Sequence, residues 1–108
     1  MSESQSVSDL DIPTPLGWQV HLTADRWRII SEVKHPSLAG HHAEIVAALS
    51  DPDEIRRSSQ DPEVYLFYKA YEAKRWFCAV ARDTEKGGFL ITAYQISAIK
   101  AGETIWQR

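Results

Sequence analysis

Cysteine is almost absent from the sequence, since Cys78 is the single one among 108 residues. This scarcity excludes an internal disulfide framework and a zinc site built from cysteine ligands. Cys78 stands inside an apolar run, which favours a buried thiol over a reactive nucleophile. No hydrophobic run is long enough to cross a membrane, and the acidic, serine-rich N-terminus lacks the apolar segment of a signal peptide. A cytoplasmic protein, monomeric or weakly dimeric and without a membrane partner, is therefore expected.

Positive charge is also scarce, and it is unevenly distributed. The net charge is −3, with 11 acidic and 5 basic side chains in residues 1–63 and 4 acidic and 7 basic ones in residues 64–108. A globally acidic chain is not typical of nucleic-acid-binding proteins. The basic C-terminal part still permits a local surface for a phosphate backbone, although lysine and arginine also decorate solvated strand edges.

Helical patterns occupy the first half of the chain. Residues 1–16 are polar and contain two prolines, which predicts a flexible N-terminal tail. "GWQVHL" alternates loosely and predicts a short edge strand. Thr23 is a typical N-cap for a helix over 24–33, and the apolar residues of "HHAEIVAALS" have helical spacing. "DPDEI" predicts a further helical turn that begins at Asp51.

The second half has the pattern of an antiparallel sheet. Three segments rich in β-branched and aromatic residues are joined by links of hairpin length, at 64–71, 75–82 and 88–96. Helices followed by a run of strands indicate one α+β domain over residues 17–108. The predicted architecture is N-terminal helices packed on one face of a curved antiparallel sheet of three to four strands.

Alternation in the last strand, "GFLITAYQI", decides which side chains share a face of this sheet. Phe89, Ile91 and Ala93 are predicted beneath the helices, whereas Thr92 and Tyr94 are predicted on the open face. Cationic or phenolic side chains of the neighbouring strands would join them there. The open face would then combine hydroxyl, phenol and cationic groups.

Metal and cofactor sites are not predicted. His41 and His42 are adjacent and lack the i, i+4 spacing of a zinc-binding helix, so a polar helix start is the better interpretation. The sequence contains no phosphate-binding glycine loop and no nucleophile elbow.

Several motifs together resemble a known group of domains. "LTADRWRIISEVKHPSL", "DPDEI" and "ITAYQISAIKAGETIW", in this order, are similar to phage- and prophage-associated nuclease-like domains over roughly residues 21–106. The resemblance implies the barnase, EndoU, colicin and RelE-like superfamily, in which helices precede a curved four-stranded antiparallel sheet. It further implies cleavage of RNA without a metal on the open sheet face. Arg28 departs from the pattern, because similar domains place a histidine there and arginine keeps its proton near neutral pH.

Metal-free RNA cleavage needs a group that transfers the proton of the ribose 2′-hydroxyl and cations around the phosphate. The predicted catalytic residues are Arg28, His35 and Tyr94. The predicted substrate-binding residues are Arg56, Lys69, Arg82 and Thr92. Each also has a purely structural interpretation: His35 precedes Pro36 at the end of a helix, and Thr92 and Tyr94 are ordinary strand residues.

Three functions stay open from the sequence. The first is a toxin-like ribonuclease whose partner is RNA. The second is a non-catalytic domain of the same fold, binding nucleic acid or a protein such as an inhibitory partner of antitoxin type. The third is a tyrosine-rich pocket for a small ligand.

Overall fold

Seven strands and several short helical segments form along the chain in a computed structural model, which describes residues 8–99 and 102–108. In chain order the elements are β1 Leu10–Pro13, β2 Gln19–Leu22, α1 Ala24–Ile29, a π-helical turn Ile30–Lys34, a 3₁₀ turn Pro36–Leu38, α2 His42–Ser50, β3 Glu54–Arg57, β4 Val64–Glu72, β5 Arg75–Thr84, β6 Gly87–Ile96 and β7 Glu103–Gln107. The two predicted helices and the three predicted strands of the second half are confirmed.

All seven strands belong to one sheet, in the order β1-β2-β6-β5-β4-β3-β7. Neighbouring strands run antiparallel, except β2 and β6, which are parallel. β3 to β6 therefore form a meander. The β1–β2 hairpin extends the sheet beside β6, and β7 extends it beside β3.

The predicted fold class, helices packed on a three- to four-stranded antiparallel sheet of RelE/barnase type, is wrong. The sheet is mixed and seven-stranded, with 46% of the described residues in strands and 23% in helices. The strands that sequence analysis missed, β1, β3 and β7, have only four or five residues each. Segments of this length carry too little periodicity to be told from loops. In the structure, these three strands hydrogen-bond to backbone groups that would stay unpaired at the edges of a smaller sheet.

Local predictions in the first half also differ from the structure. β1 lies inside the predicted tail and buries Ile12, while residues 1–7 of that tail lie outside the described residues. β2 is not an edge strand, because it lies between β1 and β6. The predicted helical turn at "DPDEI" is instead the start of β3, whose Ile55 pairs with Phe67 in β4.

The helical segments cover one face of the sheet. The N-cap prediction is confirmed, since Thr23 Oγ1 accepts a hydrogen bond of 3.0 Å from the N–H of Arg26. The helical residues buried against the sheet are Trp27, Ile30, Leu38, Ile45, Ala48 and Leu49. They meet strand residues that include Ile55, Phe67, Phe77, Ala79 and Ala93. This apolar layer is the main core, and its burial supplies the largest favourable contribution to folding.

A second apolar cluster lies on the opposite side of the sheet, which we name the distal face. Its buried residues are Leu66, Tyr68, Cys78 and Val80, and Ile99, in the link that follows β6, packs against it. The face predicted as open is therefore partly covered.

No helix in the described parts of the chain has the length and apolar character needed to cross a lipid bilayer.

A β-bulge in β6 changes the alternation of that strand. Val80 pairs with Thr92 and Ala81 pairs with Leu90, so Ile91 is the extra residue. Leu90 consequently joins the core beneath the helices, whereas Ile91 packs against the distal cluster. The predicted positions of Phe89 and Ile91 beneath the helices are wrong for this reason. Beyond the bulge the prediction is right: Ala93 belongs to the helix-side core and Tyr94 to the distal cluster.

Candidate functional site

Three rows of side chains cross the distal face, because directly paired residues of neighbouring strands project to the same side. The tyrosine row is Glu54, Tyr68, Cys78 and Tyr94. The threonine row is Arg56, Leu66, Val80 and Thr92. The phenylalanine row is Val64, Arg82, Phe89, His21 and Asp11. Four of the seven predicted site residues lie in these rows: Arg56, Arg82, Thr92 and Tyr94. A fifth, His35, contacts the end of one row.

The tyrosine row surrounds a buried thiol. Cys78 is fully buried, and the hydroxyl groups of Tyr68 and Tyr94 both interact with its sulfur. Burial, the largest cause, raises the pKa of the Cys78 thiol to about 12 and raises the pKa of both tyrosines above the usual value. All three groups therefore carry their protons at neutral pH. The prediction that Cys78 is a buried free thiol is confirmed.

This raised pKa predicts a loss of stability in mildly alkaline solution. The Cys78 thiol ionises near pH 8.5–9 in the unfolded chain and near pH 12 in the folded protein. The contribution of the neutral thiol to the free energy of unfolding is thus complete below pH 8.5 and is lost as the pH rises toward 12. We expect the free energy of unfolding, measured in urea, to fall by about 1–2 kcal/mol between pH 8.5 and pH 10. Cys78→Ala should reduce this decrease, and equal decreases in both proteins would contradict the prediction.

His35 reaches the end of the tyrosine row from the helical layer. Its backbone N–H donates a 2.8 Å hydrogen bond to Ile30 O, which closes the π-helical turn before Pro36. The His35 and Tyr94 rings lie 5.9 Å apart between centroids, at an interplanar angle of 52°. The structure therefore brings together two of the three predicted catalytic residues, although 58 residues separate them in the chain.

The threonine row contains one hydroxyl, and its arginine forms an ion pair with the glutamate of the tyrosine row. Thr92 Oγ1 is buried and has no hydrogen-bond partner in the part of the chain that the structure describes. At the other end, Arg56 Nε donates a 2.6 Å hydrogen bond to Glu54 Oε2, which also accepts one of 2.8 Å from Thr104 Oγ1. Burial acts to raise the pKa of Glu54, but these hydrogen bonds outweigh burial and lower it. Glu54 is therefore an anion that neutralises Arg56.

Two of the predicted site residues, Arg28 and Lys69, lie away from the tyrosine and threonine rows. Arg28, on α1, forms an ion pair of 3.0 Å with Asp25 one turn earlier. Lys69 pairs with Phe77, so it projects to the helix side of the sheet. There its Nζ donates to the carbonyl oxygen of Asp51 at 2.9 Å, at the C-terminus of α2. The predicted position of Lys69 on the open face is wrong.

Arg82 stands in the phenylalanine row, as predicted for the open face. Its guanidinium forms ion pairs of 2.7 Å with Asp61 and 3.0 Å with Glu63, in the loop before β4. Both carboxylates belong to the same chain, and they compensate the positive charge. The distal face is therefore not a continuous cationic surface.

Sequence analysis missed several members of these rows. Glu54 was interpreted as part of a helix start, although it lies in β3 beside Arg56. Tyr68, in β4, was one of the cationic or phenolic side chains that alternation allowed on the open face. Phe89 carried no usable signal, because the bulge that turns it to the distal face leaves no mark in the sequence.

No three histidine, cysteine, aspartate or glutamate side chains within residues 8–99 and 102–108 converge on a position for a metal ion. Comparisons with protein-family models, with curated proteins and with solved structures each find no match.

Proposed function

We propose that the chain is a metal-independent ribonuclease domain that acts at the His35–Tyr94 end of the distal face. The single observation that supports this most is the contact between the two rings at 5.9 Å, next to the strand position of Thr92. Histidine transfers protons near neutral pH, and a phenol is a hydrogen-bond donor to a phosphate oxygen. The resemblance to phage nuclease-like domains is consistent with this activity. The seven-stranded sheet departs from the implied fold, so the proposal depends on the residues themselves.

The proposed reaction divides into roles for three side chains. His35 accepts the proton of the ribose 2′-hydroxyl while the 2′-oxygen bonds to phosphorus and the bond to the 5′-oxygen breaks. The leaving 5′-oxygen takes a proton from water, His35 returns its proton to the solvent, and the other product ends in a 2′,3′-cyclic phosphate. Tyr94 stays neutral, because burial raises its pKa, and it orients the phosphate. The Thr92 hydroxyl is buried and has no partner among the described residues, so it donates to a phosphate oxygen once the bound RNA displaces the side chains that cover it.

Cleavage of single-stranded RNA in EDTA is the direct test. Purified protein should cut an end-labelled oligonucleotide and leave 2′,3′-cyclic phosphate ends, because the ribose hydroxyl is the nucleophile. Tyr94→Phe, purified identically, controls for contaminating nucleases and should cut more slowly with little change in RNA affinity. If stoichiometric protein cuts no RNA, or if Tyr94→Phe cuts at the wild-type rate, the proposal is wrong.

A second candidate function is supported by the charge pattern. Arg28, Lys69 and Arg82 are each paired with carboxylates of the same chain, which weakens attraction to phosphate. Apolar groups also reach the surface, including Val33 at 73% exposure on the π-helical turn and the neighbouring Ile29. A non-catalytic domain that binds a protein partner, such as an inhibitor of antitoxin type, would have these properties. It predicts no RNA cleavage under any of the conditions above.

A further inference from the structure

Phe89 is an exposed aromatic residue in the middle of a polar row. Its side chain is 40% exposed, and its strand neighbours are His21 on β2 and Arg82 on β5. Burial does not explain a large apolar ring at this position. An accessible aromatic ring flanked by an imidazole and a guanidinium is the kind of surface on which nucleic-acid bases stack.

A cleft of about 880 Å³ opens beside this ring. Its lining includes Asp11, Gln19, His21, Thr84, Lys86 and Phe89. The glycines at the β5–β6 turn contribute backbone without side chains, which leaves space in front of the ring. The volume lies within the range of small-ligand sites, and an apolar ring with a few polar groups is their usual lining.

Lys86, in this cleft, differs from the paired cations of the rest of the distal face. Lys86 has no carboxylate within ion-pair distance in the described parts of the chain. His21 uses Nδ1 for Asp11 at 2.8 Å, which orients the ring while its side chain stays 48% exposed. An uncompensated ammonium beside an aromatic ring suits a ligand that combines a flat base with a phosphate.

We propose that this cleft binds a base and its phosphate in single-stranded RNA, with Phe89 stacking on the base and Lys86 contacting the phosphate. Gln19 offers an amide to the edge of the base. Phe89 and Tyr94 lie on the same strand and the same face, five residues apart, or about 15 Å at the rise of a strand. Roughly three to five nucleotides cover that distance. The inference rests on the proposed ribonuclease function and places the substrate along β6, from the cleft to the His35–Tyr94 site.

Binding of a 2′-O-methyl RNA oligonucleotide tests the cleft separately from cleavage, because the methyl group blocks the nucleophile. We expect Phe89→Ala to weaken its binding, measured by fluorescence anisotropy, roughly 10- to 100-fold, and Phe89→Trp to retain it. Tyr71→Ala is the matched control, since Tyr71 is equally exposed at 38% but packs on Phe77 at the helix side. Lys86→Ala should weaken binding and lower the slope of log affinity against log salt by about one.

The outcomes separate this inference from the proposed function. Binding that is absent in the wild type, or unchanged in Phe89→Ala, overturns the cleft. If RNA is cleaved but its binding does not depend on Phe89, the cleft proposal fails and the ribonuclease proposal stands. If binding depends on Phe89 but no RNA is cleaved, the ribonuclease proposal fails and the cleft remains a binding site. Binding of adenosine monophosphate tests whether the cleft binds a free mononucleotide or a nucleotide within an RNA chain. If the mononucleotide binds as tightly as the oligonucleotide, and with the same dependence on Phe89, the proposal that RNA lies along β6 is overturned.

Discussion

Gly88→Ala is expected to lower the free energy of unfolding by about 3 kcal/mol, the upper part of the usual cost of overpacking. A Cβ atom at Gly88 would lie 2.6 Å from Trp18 Cζ3 and 2.7 Å from the carbonyl oxygen of Gln19. Both distances are far below van der Waals contact. β2 and β6 approach each other closely at this point, where Val20 pairs with Gly88.

Neither neighbour can move away easily. The Trp18 ring packs against Tyr65 and Phe67, at centroid distances of 5.3 and 6.0 Å. The Gln19 oxygen belongs to the backbone of β2, which is paired on both sides. Relief of the clash therefore requires that the β1–β2 hairpin shift away from the rest of the sheet.

Thermal and urea unfolding measure this effect. A decrease of 3 kcal/mol corresponds to a fall of about 10–20 °C in Tm for a domain of this size. Gly40→Ala is the matched control, since Gly40 has a φ of +83° but nothing within 4 Å of an added Cβ. It adds only backbone strain, about 1 kcal/mol. A Gly88→Ala protein as stable as the Gly40→Ala protein would contradict the close contact of β2 with β6.

His35→Gln is expected to reduce the rate of RNA cleavage by about 10²–10⁴-fold, the usual contribution of one proton-transferring side chain. Glutamine keeps hydrogen-bonding groups beside Tyr94 but does not titrate near neutral pH. The backbone N–H of residue 35, which closes the π-helical turn, is unchanged by the substitution. Folding should therefore be retained, and circular dichroism would verify it.

Single-turnover cleavage in EDTA measures the rate, and binding of the 2′-O-methyl oligonucleotide measures affinity. The rate should fall while affinity changes little, because a proton transfer matters only in the reaction. His41→Gln is the control: His41 stacks on Phe77 at the helix side, at 5.2 Å between centroids, and its loss should leave the rate unchanged. Equal rates for His35→Gln and the wild type would remove His35 from the proposed mechanism.

Much of the candidate site was predictable because strand alternation is a local property. Thr92 and Tyr94 stand two residues apart beyond the bulge, so they share a face in any strand that contains both. Arg82 also reaches the distal face, as alternation along its strand allowed. Cys78 is buried, as its apolar neighbours indicated. Each of these inferences needed only residues that are close in the chain.

Other features depended on residues far apart in the chain. His35 meets Tyr94 across 58 intervening residues, and Arg82 is neutralised by carboxylates 19 and 21 residues away. Such pairs leave no periodic trace in the sequence, so the sequence did not reveal that the cationic side chains predicted for the site are paired with carboxylates.

The sequence predicted the helices, the three long strands and the side of the sheet on which Ala93 and Tyr94 stand. It did so because capping, hairpin links and alternation act over a few residues. The tertiary structure alone decided the seven-stranded order, the parallel pairing of β2 with β6 and the bulge that turns Phe89 outward. These depend on pairing with distant segments, since a short strand forms only where another strand's edge offers hydrogen-bonding partners.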